Sequence, residues 1–255
     1  MKVSQIVFSP TGGTGKVAEI VANAFSMPIS KIDLSNAKTD YSSLYLTKDD
    51  IAIIAVPSYG GRVPGLATQR ISNIHADQTL CIIICVYGNR AYEDTLIELK
   101  DIAEKSGFKV IAAIAAIAEH SIMHQYAAGR PDAKDQNELN GFAAKILEKI
   151  SGNSGNISIP QVPGNRPYKH MGTASLVPKA GNHCTSCGYC AEQCPAEAIN
   201  QENLKVADSK KCISCMRCVV QCPQSARKVN GALVSVAALA IKKACSTRKE
   251  NELFI

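Results

Sequence analysis

Val3-Ser-Gln-Ile-Val-Phe8 runs straight into Ser9-Pro-Thr-Gly-Gly-Thr-Gly-Lys16, and then into Val17-Ala-Glu-Ile-Val-Ala-Asn-Ala-Phe25. The first stretch has the apolar content of a strand, the second is a loop of small and hydroxyl residues, and Lys16–Phe25 repeats its apolar positions at helical spacing. The same alternation continues down the chain. Apolar runs at Ile29–Leu34, Ile51–Pro57, Leu80–Tyr87 and Phe108–Ala118 alternate with helical patterns near Leu66–Ile74, Ala91–Ser106 and Pro131–Ile150. Ile51-Ala-Ile-Ile-Ala-Val56 and Cys81-Ile-Ile-Ile-Cys-Val86 are apolar on both faces, which a parallel sheet covered by helices on each side requires. Five such strands in about 150 residues predict a compact doubly wound α/β domain.

The pattern breaks at Ser151-Gly-Asn-Ser-Gly-Asn156 and at the prolines 160, 163, 167 and 178, so residues 151–180 read as an extended, partly packed linker. Nine of the eleven cysteines follow residue 180, and only Cys81 and Cys85 precede it. Four units result: an α/β domain at 1–150, the linker at 151–180, a cysteine module at 181–230, and a C-terminal helix and tail at 231–255. The helix pattern at Ala232–Ala244 is expected to cap the cysteine module and is too short to span a membrane. No apolar run approaches the ~20 residues of a membrane span, and Met1-Lys2 leads into a strand pattern rather than a signal peptide, so a cytoplasmic location is expected.

Composition narrows the classes further. The chain is 46% hydrophobic and 20% charged over 255 residues, which excludes intrinsic disorder and collagen-like repeats. The formal charge of +6 divides unevenly: residues 1–150 carry 15 basic and 16 acidic side chains, 151–180 carry 3 and 0, and 181–255 carry 10 and 6. There is no basic block and no basic stripe interleaved with aromatics, so a nucleic-acid partner is not expected.

The cysteines carry the most specific signal. Cys184-x2-Cys187-x2-Cys190-x3-Cys194-Pro195 is repeated 28 residues later as Cys212-x2-Cys215-x2-Cys218-x3-Cys222-Pro223. In such runs three closely spaced thiolates wrap one cubane cluster and the fourth, before the proline, serves the other. That assigns Cys184, Cys187, Cys190 and Cys222 to one [4Fe-4S] cluster, and Cys212, Cys215, Cys218 and Cys194 to the second. Zinc or a disulfide framework explains neither the triplets nor their duplication. The run resembles the bacterial two-cluster ferredoxin module, and the resemblance implies a small α+β domain that passes single electrons at low potential.

The loop after the first strand is read against three phosphate motifs. A Walker A loop would need glycine at 10 and a hydroxyl at 17, where the chain has Pro10 and Val17. Gly13-x-Gly15-x-x-Ala18, with Asp33 ending the next strand, matches a dinucleotide fingerprint at only three positions. A monophosphate cup fits better, with hydroxyls of Ser9, Thr11 and Thr14 and amides made accessible by Gly12, Gly13 and Gly15; a plain turn is the alternative. The pattern resembles the FMN phosphate loop of flavodoxins. Loops after the third and fourth strands, Pro57-Ser58-Tyr59-Gly60-Gly61 and Tyr87-Gly88-Asn89-Arg90-Ala91-Tyr92, converge on the same sheet edge. Tyr59 or Tyr87 can lie against an isoalloxazine face, while Tyr92 reads either as a flavin contact or as an ordinary aromatic at a helix start.

Taken whole, the chain resembles flavodoxin–ferredoxin fusions of anaerobic bacteria and archaea. The resemblance implies a flavodoxin-like five-stranded domain, FMN, two [4Fe-4S] clusters, electron transfer, and redox protein partners as donor and acceptor. A flavin-dependent reductase of a quinone or another small acceptor, fed by its own clusters, is the other reading. His120 reads as a flavin donor, a proton relay or an ordinary loop histidine. Arg62 and Arg90 read either as partners of an anionic flavin or as solvated loop residues. Cys81 and Cys85, on one face of a strand, read as packing residues, and Cys245 as a free thiol. No spacing supports a hydrolytic triad.

Overall fold

A computed structural model describes residues 2–152, 157–172 and 176–255. The linker positions 153–156 and 173–175 lie outside the described residues.

The N-terminal apolar runs form strands β1 (Val3–Val7), β2 (Ile29–Asp33), β4 (Ile51–Pro57), β6 (Leu80–Tyr87) and β7 (Lys109–Ile117), all parallel to their neighbours in one sheet. Two-residue strands β3 (Tyr45–Leu46) and β5 (His75–Ala76) pair separately beside it. Counted along the chain, the five long parallel strands lie in spatial order 2-1-3-4-5, the flavodoxin-like winding. Period-two alternation sorts their side chains onto two faces. Ile53, Ala55, Ile82 and Ile84 face α1 (Gly13–Asn23) and α4 (Ala133–Gly152), meeting Val17, Val21, Leu139 and Ile146. Ile54, Val56, Ile83 and Cys85 face α2 (Gly65–Ser72) and α3 (Thr95–Lys105), meeting Ala67, Ile71, Leu96 and Leu99. Cys81 and Cys85 are fully buried in this second core.

In the cysteine module, β8 (Lys179–Ala180) pairs antiparallel with β9 (Arg227–Lys228), and two one-turn helices, α5 (Tyr189–Glu192) and α6 (Arg217–Val220), occupy equivalent places in the two cysteine runs. The equivalence extends to the backbone. Ser186 and Ser214 have φ of 55° and 53°, Glu197 and Ser225 have 48° and 47°, and Met216 at 62° stands where the first run has Gly188 at 80°.

The C-terminal tail departs from the reading of the sequence. After α7 (Gly231–Cys245), β10 (Glu252–Phe254) returns to the first sheet and pairs antiparallel with β7, so the sheet has six strands rather than five. This covers the otherwise open edge of β7. The helix, expected to cap the cysteine module, is hydrogen-bonded to the first domain: Tyr126 donates its hydroxyl to Ala238 O at 2.7 Å, and Cys245 lies at 3.9 Å from Gly88 O. The tail is held by buried polar groups. Asn89 donates to the carbonyls of Cys245 and Thr247 and accepts from the Lys249 amide, while Asn251 accepts from Ile117 N and donates to Asp135 and Glu138.

The linker is pinned along the start of α3. Asp94 accepts from the amides of Asn165 and Lys169, Arg166 and Tyr168 reach Asp101, and Arg62 stacks 4.9 Å over the Tyr168 ring. Arg70, nine-tenths buried, donates to Leu34 O and to Pro195 O and so ties the sheet domain to the cysteine module.

Candidate functional site

The strand ends β1, β4, β6 and β7 open onto one cavity of about 610 Å³. Thr11, Gly13, Thr14, Pro57, Ser58, Tyr59, Gly60, Tyr87 and Gly88 line it. At its base α1 begins at Gly13, preceded by Gly12 at φ 92°, a left-handed turn that glycine adopts without strain. The first amides of the helix, those of Gly13 and Thr14, have no acceptor within the helix, an arrangement that suits an anion. Ser9 works behind this wall: its Oγ accepts the Gly15 amide at 2.8 Å, and its own amide donates to Ser35. Ser9, Gly12 and Gly15 therefore shape the loop without lining the cavity.

The other expected flavin residues that do not line it are occupied elsewhere. Gly61 provides the left-handed turn at φ 86° under Glu93. Asn89 is 4% exposed and spends its amide on the tail. Arg90 pairs with Glu93, and Arg62 forms a two-pronged pair with Glu98, so neither guanidinium is offered to the cavity. Tyr92 packs edge-on against Tyr87, with centroids 5.1 Å apart, and donates to Glu252 on the tail strand.

Residues not foreseen at this cavity, Cys212 among them although it was expected as a cluster ligand, complete the wall. Glu119, Ser121 and Ile122 come from the loop after β7, Met171 and Gly172 from the linker, and Ser209, Cys212, Ile213 and Ser214 from the cysteine module. These contributions arise from how the two modules sit together, and no local pattern marks them as part of this cavity. His120, weighed from the sequence, also lines the cavity. Its Nδ1 accepts from the amides of Ile122 and Met123, both at 3.2 Å, which leaves Nε2–H as the ring's donor. Burial, with His124 and Arg90 nearby, holds His120 below the usual imidazole range. Tyr59 keeps its phenolic proton because burial, with Cys215 close by, pushes it up.

The cysteines fall into two groups. One small cavity is lined by Cys194, Cys212, Cys215 and Cys218, a second by Cys184, Cys187, Cys190 and Cys222. In each, the sulfur that precedes a proline accepts an amide at 3.3 Å: Ala198 N to Cys194 and Ala226 N to Cys222. Burial pushes the Cys215 thiol up to about 12 and the Cys218 thiol up to about 11. Among the described residues, no group of three or more His, Cys, Asp or Glu side chains closes on a single metal ion. The thiols enclose space instead, as a cluster of several atoms needs. One observation tests that fit: Arg227 is 2% exposed, forms no ion pair with a carboxylate among the described residues, and keeps a buried Nε without an acceptor. The thiols are the groups beside it that become anionic on binding metal.

The 4Fe-4S dicluster domain family matches residues 183–227. No curated protein sequence matches the chain. Among solved structures, the α/β domain is similar to a flavodoxin of Streptococcus pneumonia TIGR4, with 19% identity, 58% of this chain and 99% of that one covered, and a TM-score of 0.41. It is also similar to a flavodoxin from the domain Archaea (14% identity, 59% and 99% covered, TM-score 0.43) and to rubredoxin oxygen:oxidoreductase from the anaerobe Desulfovibrio gigas (13%, 61% and 37%, 0.43). The strand order carries the fold assignment. The chain thus joins a flavodoxin-like α/β domain to a 4Fe-4S dicluster domain, and its function lies in redox chemistry and electron transfer. No helix among the described residues is long and apolar enough to cross a membrane.

Proposed function

We propose that the chain is a low-potential electron carrier that holds one FMN in the large cavity and one [4Fe-4S] cluster in each thiol-lined cavity. The observation that carries this reading is a shared wall: Cys212 and Ile213 line both the large cavity and the cavity of Cys194, Cys212, Cys215 and Cys218. A flavin accepts two electrons and releases them singly, whereas a cluster of this kind passes one.

The chain's own groups would serve as follows. Thr11, Thr14 and the first amides of α1 bind the phosphate, a doubly charged group suited to a helix N-terminus. Tyr59 and Tyr87 flank the ring, and Ile213 and Met171 exclude water from the wall between the modules. The second thiol site faces outward, since Cys187, Thr185 and Ser186 are exposed; its rim is where a redox protein would dock. Residues 1–150 form the flavin unit and 181–230 the cluster unit, joined by 151–180, with 231–255 returning to the first. One polypeptide keeps the sites at a high effective concentration, in the millimolar range or so, without diffusive encounter.

Anaerobic reconstitution with iron, sulfide and FMN tests this. Roughly eight irons and one FMN per chain are expected; a chain that stays colourless and metal-free overturns it. His120 favours a second reading, reduction of a small acceptor, because its Nε2–H is a fixed donor on the cavity wall. Turnover of quinones, lost in His120→Ala with FMN retained, would select that reading over a pure carrier.

A further inference from the structure

The two cysteine runs share their ligand spacing, and at one aligned position where both side chains are buried one run carries an apolar residue and the other a cation. Cys194-Pro-Ala-Glu-Ala-Ile199 aligns with Cys222-Pro-Gln-Ser-Ala-Arg227, 28 residues on. Both terminal side chains are buried, Ile199 at 5% and Arg227 at 2% exposure. Each sits in the wall of a thiol cavity: Ile199 on the side of Cys212, Arg227 on the side of Cys184. Arg227 donates to Leu204 O at 2.6 Å and to Pro178 O at 3.0 Å, and its Nη1 lies 3.6 Å from Cys190 Sγ. A buried guanidinium without a carboxylate is costly, and the repeat shows that the position accepts an apolar side chain.

We propose that Arg227 is a positioning residue that makes the two cluster sites inequivalent, favouring the reduced form on the Cys184 side. The inference rests on the cluster reading above. One electron, delivered by a one-electron reductant such as dithionite, takes a four-thiolate site from about −2 to about −3 with no bond made or broken. A fixed cation in the wall of the Cys184 cavity, 3.6 Å from Cys190, stabilises the more negative form there; its charge also reaches the Cys212 and Cys218 thiols, whose own cavity it does not line. The electron is thereby held at the outward-facing site, away from the large cavity.

The test is a potentiometric titration of the reconstituted full-length protein followed by low-temperature EPR, with Cys187→Ala identifying which signal belongs to the Cys184 side. In the wild type that side is expected to have the higher midpoint potential. In Arg227→Gln, with iron content unchanged, its midpoint should fall by at least a tenfold change in the reduced-to-oxidised ratio, about 59 mV for one electron. The Cys212 side should move less, and Arg227→Lys should keep most of the wild-type value. A merely structural arginine would alter iron content or thermal stability and leave the potentials of loaded protein in place. Equal shifts at both sites, or no shift with full iron, would overturn the proposal. So would a wild type whose Cys212 side has the higher potential, which needs no Arg227 variant to observe. Wild-type protein that takes up no iron would overturn the cluster reading itself, a result distinct from these.

Discussion

Gly88 and His120 are packed so closely that a Cβ built on Gly88 would lie 2.7 Å from both Cβ and Cδ2 of His120. Both residues line the large cavity, one from the end of β6 and the other from the loop after β7. Gly88→Ala must therefore displace the His120 ring and the loop behind it. We expect at least tenfold weaker FMN binding, about 1.4 kcal/mol, with iron content unchanged. Fluorescence titration of the apoprotein with FMN measures the first, and iron analysis the second. Wild-type affinity in this variant would show that the wall is not the flavin site.

Cys190→Ala removes one thiol of the Cys184 cavity and touches nothing in the large one. Such protein should retain FMN and lose roughly four of about eight irons. Parallel loss of flavin and iron would refute the independence of the two units.

Asn89 joins the β6 loop to the tail through three hydrogen bonds, to Cys245 O at 3.1 Å, Thr247 O at 2.8 Å and from Lys249 N at 3.2 Å. Asn89→Ala leaves buried backbone groups unpaired, at about 1–3 kcal/mol. The melting temperature should drop by several degrees and limited proteolysis should cut first between residues 245 and 255. An uncut tail would mean that β10 alone seats it.

Acid should release the same tail. Burial pushes the Asp135 carboxyl up, but the Arg130 fork, the Asp132 amide and Asn251 outweigh it and hold it below the ordinary range. A carboxyl lowered on folding contributes stability above its unfolded value, near 3.8, and loses that contribution as pH falls through the lower folded value. Melting temperatures should therefore decline steeply below about pH 4. In Asp135→Asn the decline should be shallower, from a start about 3–5 kcal/mol less stable because Arg130 is left buried and unpaired. An unchanged pH profile in that variant would remove Asp135 from the account.

Much of the α/β domain is legible in one dimension. Runs apolar on both faces, such as Ile82-Ile-Ile84, are buried wherever they pair, and β1 to α1 follows from a strand, a glycine turn and a helical period. These signals are local, because backbone hydrogen bonding and side-chain period depend on neighbours in sequence. The doubled cysteine run is legible for the same reason: three thiols spaced three apart meet without help from the rest of the chain.

What the chain's order of residues could not disclose is where distant segments meet. Glu252-Leu-Phe254 is too short to read as a strand, and only the free edge of β7 makes it one. Asn89, Arg62 and Tyr92 have the chemistry of flavin contacts but are claimed by the tail, by Glu98 and by Glu252. Ile213 and Met171, from the cysteine module and the linker, help close a cavity opened by the sheet. The sequence by itself determined the five long strands, the helices between them and the type of metal chemistry, since each depends on short-range periodicity and spacing. Tertiary structure alone decided which polar side chains are free to meet a ligand and which thiol loop faces the sheet, because burial and hydrogen-bond competition are settled between residues far apart in the chain.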